Sequence, residues 1–342
     1  MRFLVIGAGF GENHLRWITD CEGASVEVLC YRSDSARARQ VANRFRVPRV
    51  SNEPARIIDE GGIDAIVVAS PPDTHEELLG LGLDAGLTVV SDKPLTSDVE
   101  SAARLVERSR AARGRAVVTF QWRLNPAFAQ LRELCAGHQL GTVVRVDLEF
   151  HHDFLAGPDT AWAWRHQYAT AGAGTLGDQG VHLFDLLRWL VPDQWSVLTG
   201  TSTVVWPQRL FDGRPVPGDT EDIAEVLLGT PGVQRRARVL SSRASAGYRA
   251  LRVLVQGTEA TALANASPED GSASLVVYSA REGSRESRRF GAQSMNPYRP
   301  VVAESSDSSE QPATFTDAYH AQVLMSEALR HGCGIQAAST RA

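Results

Sequence analysis

Phe3-Leu4-Val5-Ile6-Gly7-Ala8-Gly9-Phe10-Gly11-Glu12-Asn13-His14-Leu15-Arg16-Trp17-Ile18 lies at the very start of the chain. Its four consecutive apolar residues are too few for a helix and too uniformly apolar for a one-sided sheet, so they read as a buried strand. The glycines turn that strand directly into a helix. Such a junction aims free backbone N–H groups and the positive end of the helix at one point, which suits a diphosphate. Gly7, Gly9, Phe10 and Gly11 are therefore candidates to hold a dinucleotide. The G-x-G-x-x-G spacing would place its third glycine at position 12. This chain has Glu12 there, so Gly11 supplies the close approach one residue early and the carboxylate has to point away from the phosphates.

Outward from this turn, residues 26–30 form the next strand, whose end meets the adenosine ribose in a dinucleotide-binding fold. An acid there would select NAD. The chain has Tyr31-Arg32-Ser33 and, one helical turn on, Arg37, so Arg32, Ser33 and Arg37 suit the 2′-phosphate of NADP(H). Helices at 35–45, 54–60 and 75–85 alternate with strands near 49–50, 64–69 and 88–91, and helix 97–113 with strand 115–120 closes the unit. This alternation predicts a parallel sheet with helices on both faces, a Rossmann domain over residues 1–120. Ligands bind at the carboxyl ends of such strands. That edge carries Ser70, Pro71 and His75, further candidates for cofactor contact, and the turn Ser91-Asp92-Lys93-Pro94.

Lys93 is the only lysine in a chain whose Lys and Arg total 35. Arginine serves every other need for a fixed positive charge, whereas a lysine ammonium gives up its proton readily once partly buried. On this edge Lys93 reads as an acid/base group.

From Gln121 the style changes. Gln121 itself is a candidate cofactor residue, and Trp122 and Arg123 beside it are candidates for the substrate pocket, with Arg123 suited to a phosphate or carboxylate. Helix 126–136 and strand 143–150 lead into an aromatic stretch holding His152, Trp164 and Arg165, also placed at the cofactor or substrate. After residue 195 come mostly strands, at 197–206, 222–229, 233–242, 250–256, 260–266 and 273–279, separated by Gly, Pro and Ser turns. Residues 121–342 thus read as an α+β domain with a large, mostly antiparallel open sheet. Within it, 303–313 reads as an exposed loop and 316–330 as a last helix.

Ala171-Gly172-Ala173-Gly174-Thr175-Leu176-Gly177-Asp178-Gln179-Gly180-Val181-His182 continues as a helix through Asp185 to Leu190. At 100° per residue, Asp178, His182 and Asp185 share a face beside a leucine stripe. A carboxylate one turn before a histidine orients the ring and lifts its basicity toward neutral pH. Four glycines at the helix start point to a ligand or another backbone close by. As a metal site the pair is incomplete, offering two ligands and no third.

Composition sets the limits. A net charge of −5 with no basic run gives nucleic acid nothing to bind, and no apolar run approaches the ~20 residues of a membrane helix. Cys21, Cys30, Cys135 and Cys333 lack any C-x-x-C spacing. Residues 2–6 read as a strand rather than a leader, and the cytoplasm is the expected compartment.

Together, Val5-Ile6-Gly7-Ala8-Gly9, Asp92-Lys93-Pro94 and Gly172-Ala173-Gly174 with Asp178, Gly180, His182 and Asp185 resemble the Gfo/Idh/MocA oxidoreductases. Asn125-Pro126 and Trp164-Arg165 extend the likeness over almost the whole chain. The resemblance implies that Lys93, Asp178 and His182 face the nicotinamide, and that the open sheet packs in a homodimer or homotetramer. The substrate would be a sugar, nucleotide-sugar or cyclitol. Asp92 stands where the family usually has Glu, Glu12 where it has glycine, and Tyr31 where NAD-using relatives have an acid. Phe10-Gly11-Glu12 is also similar to the glycine loop of thiazolinyl imine reductases in this family, which makes reduction of a cyclic imine the alternative. Those relatives lack the lysine of the Lys-Pro motif. A non-catalytic NADP-binding sensor is the reading from outside enzymology.

Overall fold

Phe3, Leu4 and Val5 have no exposed surface, as a strand covered on both faces requires. They belong to β1 (Arg2–Ile6), an inner strand of the first sheet of a computed structural model that describes residues 1–157, 159–232, 235–279, 283, 285–303 and 312–333. The expected alternation follows: α1 (Gly11–Thr19), β2 (Ser25–Cys30), α2 (Ser35–Phe45), β3 (Arg49–Ser51), α3 (Pro54–Glu60), β4 (Ala65–Val68), α4 (His75–Asp84), β5 (Thr88–Ser91), α5 (Val99–Ala111) and β6 (Ala116–Val118). The six strands are parallel in the order β6-β5-β4-β1-β2-β3. The order reverses between β1 and β4, the crevice where such sheets take dinucleotides. Register places Cys30, Ile6, Val68, Ser91 and Val118 in one row, so the turns that follow them leave the sheet along one line.

The second unit begins with a 3₁₀ turn at Gln121–Leu124 and α6 (Pro126–Ala136), capped by Asn125 Oδ1, which accepts from Ala127 N. β7 (Val143–His151), the short α7 (Tyr168–Ala171), α8 (Val181–Leu190), β8 (Ser196–Thr203), β9 (Gln208–Phe211), β10 (Arg214–Pro217), β11 (Ile223–Gly229), β12 (Arg236–Ser242), β13 (Ala250–Gly257), β14 (Ala260–Ala266), β15 (Ala273–Ser279) and β16 (Arg285–Phe290) follow. Eight of these strands form a sheet ordered β16-β15-β14-β13-β7-β12-β11-β8. Every pair is antiparallel except β7 with β12. The hairpin β9–β10 and the edge strand β16 had no clear signal in the sequence, because their residues are largely exposed and leave no buried alternation to read.

One expectation needs correcting. The second unit is not continuous from 121 to the end, because Asn296–Tyr319 belongs with Met1–Phe120. α9 (Arg299–Val302) brings Tyr298 against Phe3, ring centroids 5.7 Å apart, and Arg115 donates to the carbonyls of Pro300 and Val301. β17 (Ala313–Thr314) then pairs antiparallel with β6 as the seventh strand, before α10 (Phe315–Ala328). Physically, α1 and β1 leave an apolar surface that Tyr298 and Val301 fill, and no local sequence pattern announces that. Most of the acidic loop expected at 303–313 lies outside the described residues. Among the described residues, no helix is long and apolar enough to cross a membrane.

Candidate active site

In the first unit, Gly7 has φ +116°, and a Cβ there would lie 2.6 Å from Ala69 O. Only glycine fits. At Gly9 an added Cβ would meet nothing within 4 Å, so the turn borders open space where a ligand backbone can approach. Gly11 is buried on Val5 and begins α1, while Phe10 beside it is 39% exposed. Glu12 does turn away: its carboxylate pairs with Arg44. The cradle therefore fits a diphosphate despite the acid at position 12.

At the end of β2, Arg32 and Ser33 are exposed, and Arg37 Nε donates to Ala8 O at 3.1 Å, leaning over the glycine turn. Asp34, the acid nearest this end, is engaged as the cap of α2, accepting from Arg37 N at 2.9 Å. Ser70 and Pro71 begin the turn after β4, where Ser70 Oγ lies 2.6 Å from Thr74 Oγ1. His75 is a correction. It is buried, with Nδ1 3.0 Å from Leu95 O and Nε2 2.9 Å from Ser70 O. Both nitrogens are occupied by backbone, so the ring ties the turn after β4 to the turn after β5 instead of reaching a nucleotide. Burial lowers its pKa, against the pull of the carbonyls.

Lys93 follows β5, and the Lys93–Pro94 peptide is cis. Beside it, Asp92 Oδ1 accepts from Thr119 Oγ1 at 3.0 Å and stands 3.9 Å from His14 Nε2, whose Nδ1 is 2.6 Å from the Tyr298 hydroxyl. Burial alone would raise the Asp92 carboxyl; the His14 ring and Lys93 ammonium overcome it and hold the group well below the usual carboxylate range. Burial with Asp92 close by pushes the Tyr298 phenol well above its ordinary value. Sequence reasoning missed His14, Thr119 and Tyr298. His14 alone had a signal, since it falls on the inward face of α1.

In the second unit, the glycine run starts as a wide π turn, Leu176–Gly180, before tightening into α8. Glu221 explains Gly174. Its Oε1 accepts from Gly174 N at 2.8 Å and Leu176 N at 3.0 Å, and a Cβ on Gly174 would lie 2.1 Å from Glu221 O. Burial raises the Glu221 carboxyl, partly offset by those N–H groups.

The three polar residues expected on one face turn to different partners. Asp178 Oδ1 faces Arg165 Nε at 3.4 Å, and Oδ2 faces Arg243 Nη1 at 3.3 Å. Asp185, 1% exposed, takes Arg123 in a two-pronged pair, Nε to Oδ2 at 2.8 Å. His182 is buried, its ring centroid 6.3 Å from that of Phe150.

Two pocket candidates are corrected here. Arg123 is held by Asp185 behind α8, which takes the Nε and Nη2 donors a substrate phosphate would need. Trp122, 3% exposed, stands edge-on to Phe128 and Phe150 and is a core residue backing the Phe150 ring against His182. His152 is half-buried, its Nδ1 accepting from Asp153 N and Phe154 N, and burial with Arg249 nearby lowers its pKa. Gln121 is partly exposed in the 3₁₀ turn, and Trp164 carries the Arg165 guanidinium 4.4 Å from its ring centroid.

Residues 1–120 match the sequence model of an oxidoreductase family with an NAD-binding Rossmann fold, and residues 128–263 match that of the GFO/IDH/MocA C-terminal domain. Among curated proteins, inositol 2-dehydrogenase 4 of Saccharopolyspora erythraea is 31% identical over 231 residues, 64% of this chain and 63% of that protein. Inositol 2-dehydrogenase of Acidothermus cellulolyticus is 36% identical over 197 residues, 56% of this chain and 53% of that one. The chain thus spans less than two thirds of the length of these relatives. A solved structure of levoglucosan dehydrogenase, in complex with NADH and L-sorbose, superposes with a TM-score of 0.84 at 19% identity, covering 97% of this chain and 96% of the other.

Proposed function

Since the chain belongs to the Gfo/Idh/MocA oxidoreductase family, we propose that it is a nicotinamide-dependent dehydrogenase or reductase acting on a secondary carbinol or ketone of a sugar, nucleotide-sugar or cyclitol, with NADP(H) preferred. One observation carries this reading. The only lysine leaves the parallel sheet in the same row as the glycine turn, beside a carboxylate held ionised by its neighbours. When bound, the nucleotide supplies hydride chemistry at its nicotinamide. Gly7, Gly9, Phe10 and Gly11 would hold its diphosphate, Arg32, Ser33 and Arg37 the 2′-phosphate, and Ser70 and Pro71 would line the same edge.

The protein's own groups manage the oxygen. In the reducing direction His182 donates a proton to the carbonyl oxygen while Lys93 hydrogen-bonds the developing alkoxide, and Asp178 orients and polarises His182. Oxidation runs the same steps backward. His152, Trp164 and Arg165 remain the residues proposed to shape the substrate pocket.

Steady-state rates with a panel of cyclitols, aldoses, ketoses and cyclic imines, each with NADP(H) and NAD(H), test the reading. Turnover of a polyol or ketose that is lost in His182→Ala supports it. Turnover of imines alone would replace it with the imine reductase reading, and tight nucleotide binding with no turnover would leave a sensor.

A further inference from the structure

Arg243 follows β12 with no exposed surface, and its guanidinium reaches Asp178, Asp222, Thr220 and the Arg165 carbonyl. Its Nε donates to Asp222 Oδ1 at 3.0 Å, and its Nη2 to Thr220 Oγ1 at 2.8 Å. Its Nη1 reaches both Asp178 Oδ2 at 3.3 Å and Arg165 O at 3.4 Å. Thr220 Oγ1 also donates to Arg165 O, at 2.8 Å, so the backbone of Arg165 is clamped from two directions. The Arg165 side chain then returns to the other oxygen of Asp178. Arg209, also without exposed surface, stands behind Asp222 at 3.9 Å and is anchored to the carbonyls of Leu155 and Gly157. A guanidinium is planar and permanently charged, so four fixed acceptors determine its orientation and it in turn determines theirs.

We infer that Arg243 is a positioning residue of this enzyme: through one buried fork it sets the orientation of the Asp178 carboxylate and of the Arg165 guanidinium that grips it. Arg165 is one third exposed and lies against Trp164, so the clamp joins a fully buried anchor to a surface a substrate can reach. This rests on the proposed role of Asp178 toward His182 and extends it, since a carboxylate gripped by two arginines is held in place by them while it serves the histidine one turn on. Displacements of about 1 Å at a reacting centre cost about 10²-fold in rate.

The test is Arg243→Lys, which keeps the charge and removes the fork. The expected result is a fall in kcat of ~10–10²-fold with KM changed less than about threefold, and nucleotide affinity, followed by NADPH fluorescence, unchanged. In an Asp178→Asn background the same substitution should cost less than about threefold more, because a residue acting through another loses its effect when that partner is gone. Wild-type kcat in Arg243→Lys, or losses that multiply in the double variant, would overturn the inference. If Arg243→Lys does not fold, Thr220→Val removes one of its anchors and should give a smaller loss with the same dependence on Asp178; a loss independent of Asp178 would equally overturn it. A crystal structure of whichever variant folds provides a readout without turnover: the Asp178 carboxylate should rotate off its wild-type position, and an unmoved carboxylate refutes the idea. Should the wild-type protein turn over no polyol or ketose, the functional reading fails by itself and this structural comparison still decides the role of Arg243.

Discussion

At the scale of single residues, Lys93 carries the sharpest expectation. Lys93→Arg keeps a positive charge yet cannot exchange a proton near neutral pH, so kcat should fall by at least ~10²-fold while nucleotide binding survives. Wild-type turnover in that variant would make Lys93 a structural residue. Cofactor choice sits at the same scale. NADPH should exceed NADH by about 10²-fold in kcat/KM, and Arg32→Ala should erode that margin through the KM for NADPH; equal values for the two cofactors would mean that Arg32 and Arg37 only face solvent. His166 offers a test by pH. It is 2% exposed, and burial, with Arg243 and Arg209 nearby, lowers its pKa from 6.5 to about 4. The unfolded chain therefore binds a proton that the folded one refuses, and stability is lost as pH falls from about 6.5 toward 4, by up to about 3 kcal/mol. His166→Asn preserves an acceptor for Ala163 N and removes the titration, so its melting temperature should fall less than wild type between pH 7 and pH 5. Identical slopes would contradict the assignment. Residue identity was what the sequence revealed best: a lone lysine and an Asp-x-x-x-His spacing stand out in any reading. What it hid were the partners. Arg123 and Arg243 look alike on the page, and only the fold shows that one is taken by Asp185 and the other by Asp178 and Asp222.

At the scale of elements, the glycine turn should separate structure from binding. Gly7→Ala places a methyl 2.6 Å from Ala69 O at a backbone angle that L-residues avoid, so it should lower the melting temperature markedly. Gly9→Ala points its methyl into open space; it should melt like wild type and still weaken nucleotide affinity severalfold or more. Equal effects of the two changes on stability would sink this division. Elements with a buried face were legible, since their apolar spacing is fixed by the core: β14 and β15 begin and end where alternation said they would. The π turn at Leu176–Gly180 was not, because its shape comes from the Glu221 carboxylate arriving from 45 residues away.

At the scale of the molecule, the large sheet presents a face on which Leu227, 42% exposed, and the half-buried Leu254 and Leu263 share a row with Arg238 and Asp147, next to the row of the half-buried Leu240 and of Glu149, which pairs with Arg238 and with Arg252. We propose that a second copy covers it. Light scattering at micromolar concentration should give a dimer or tetramer, and Leu254→Asp should shift it toward monomer; a wild-type monomer would refute the assignment.

The return of Asn296–Tyr319 to the first unit has a consequence for synthesis on the ribosome. The surface of β1 and α1 that Tyr298 and Val301 fill stays bare, and β6 stays an open edge, while the chain between Phe120 and Asn296 is being translated. At 5–20 residues per second that interval lasts roughly 9–35 s. Nascent chains stalled before Tyr298 emerges from the exit tunnel should expose this unit to protease, and chains stalled after β17 emerges should not. Throughout that interval the first unit lacks part of its core, although all six strands of its parallel sheet have already been made.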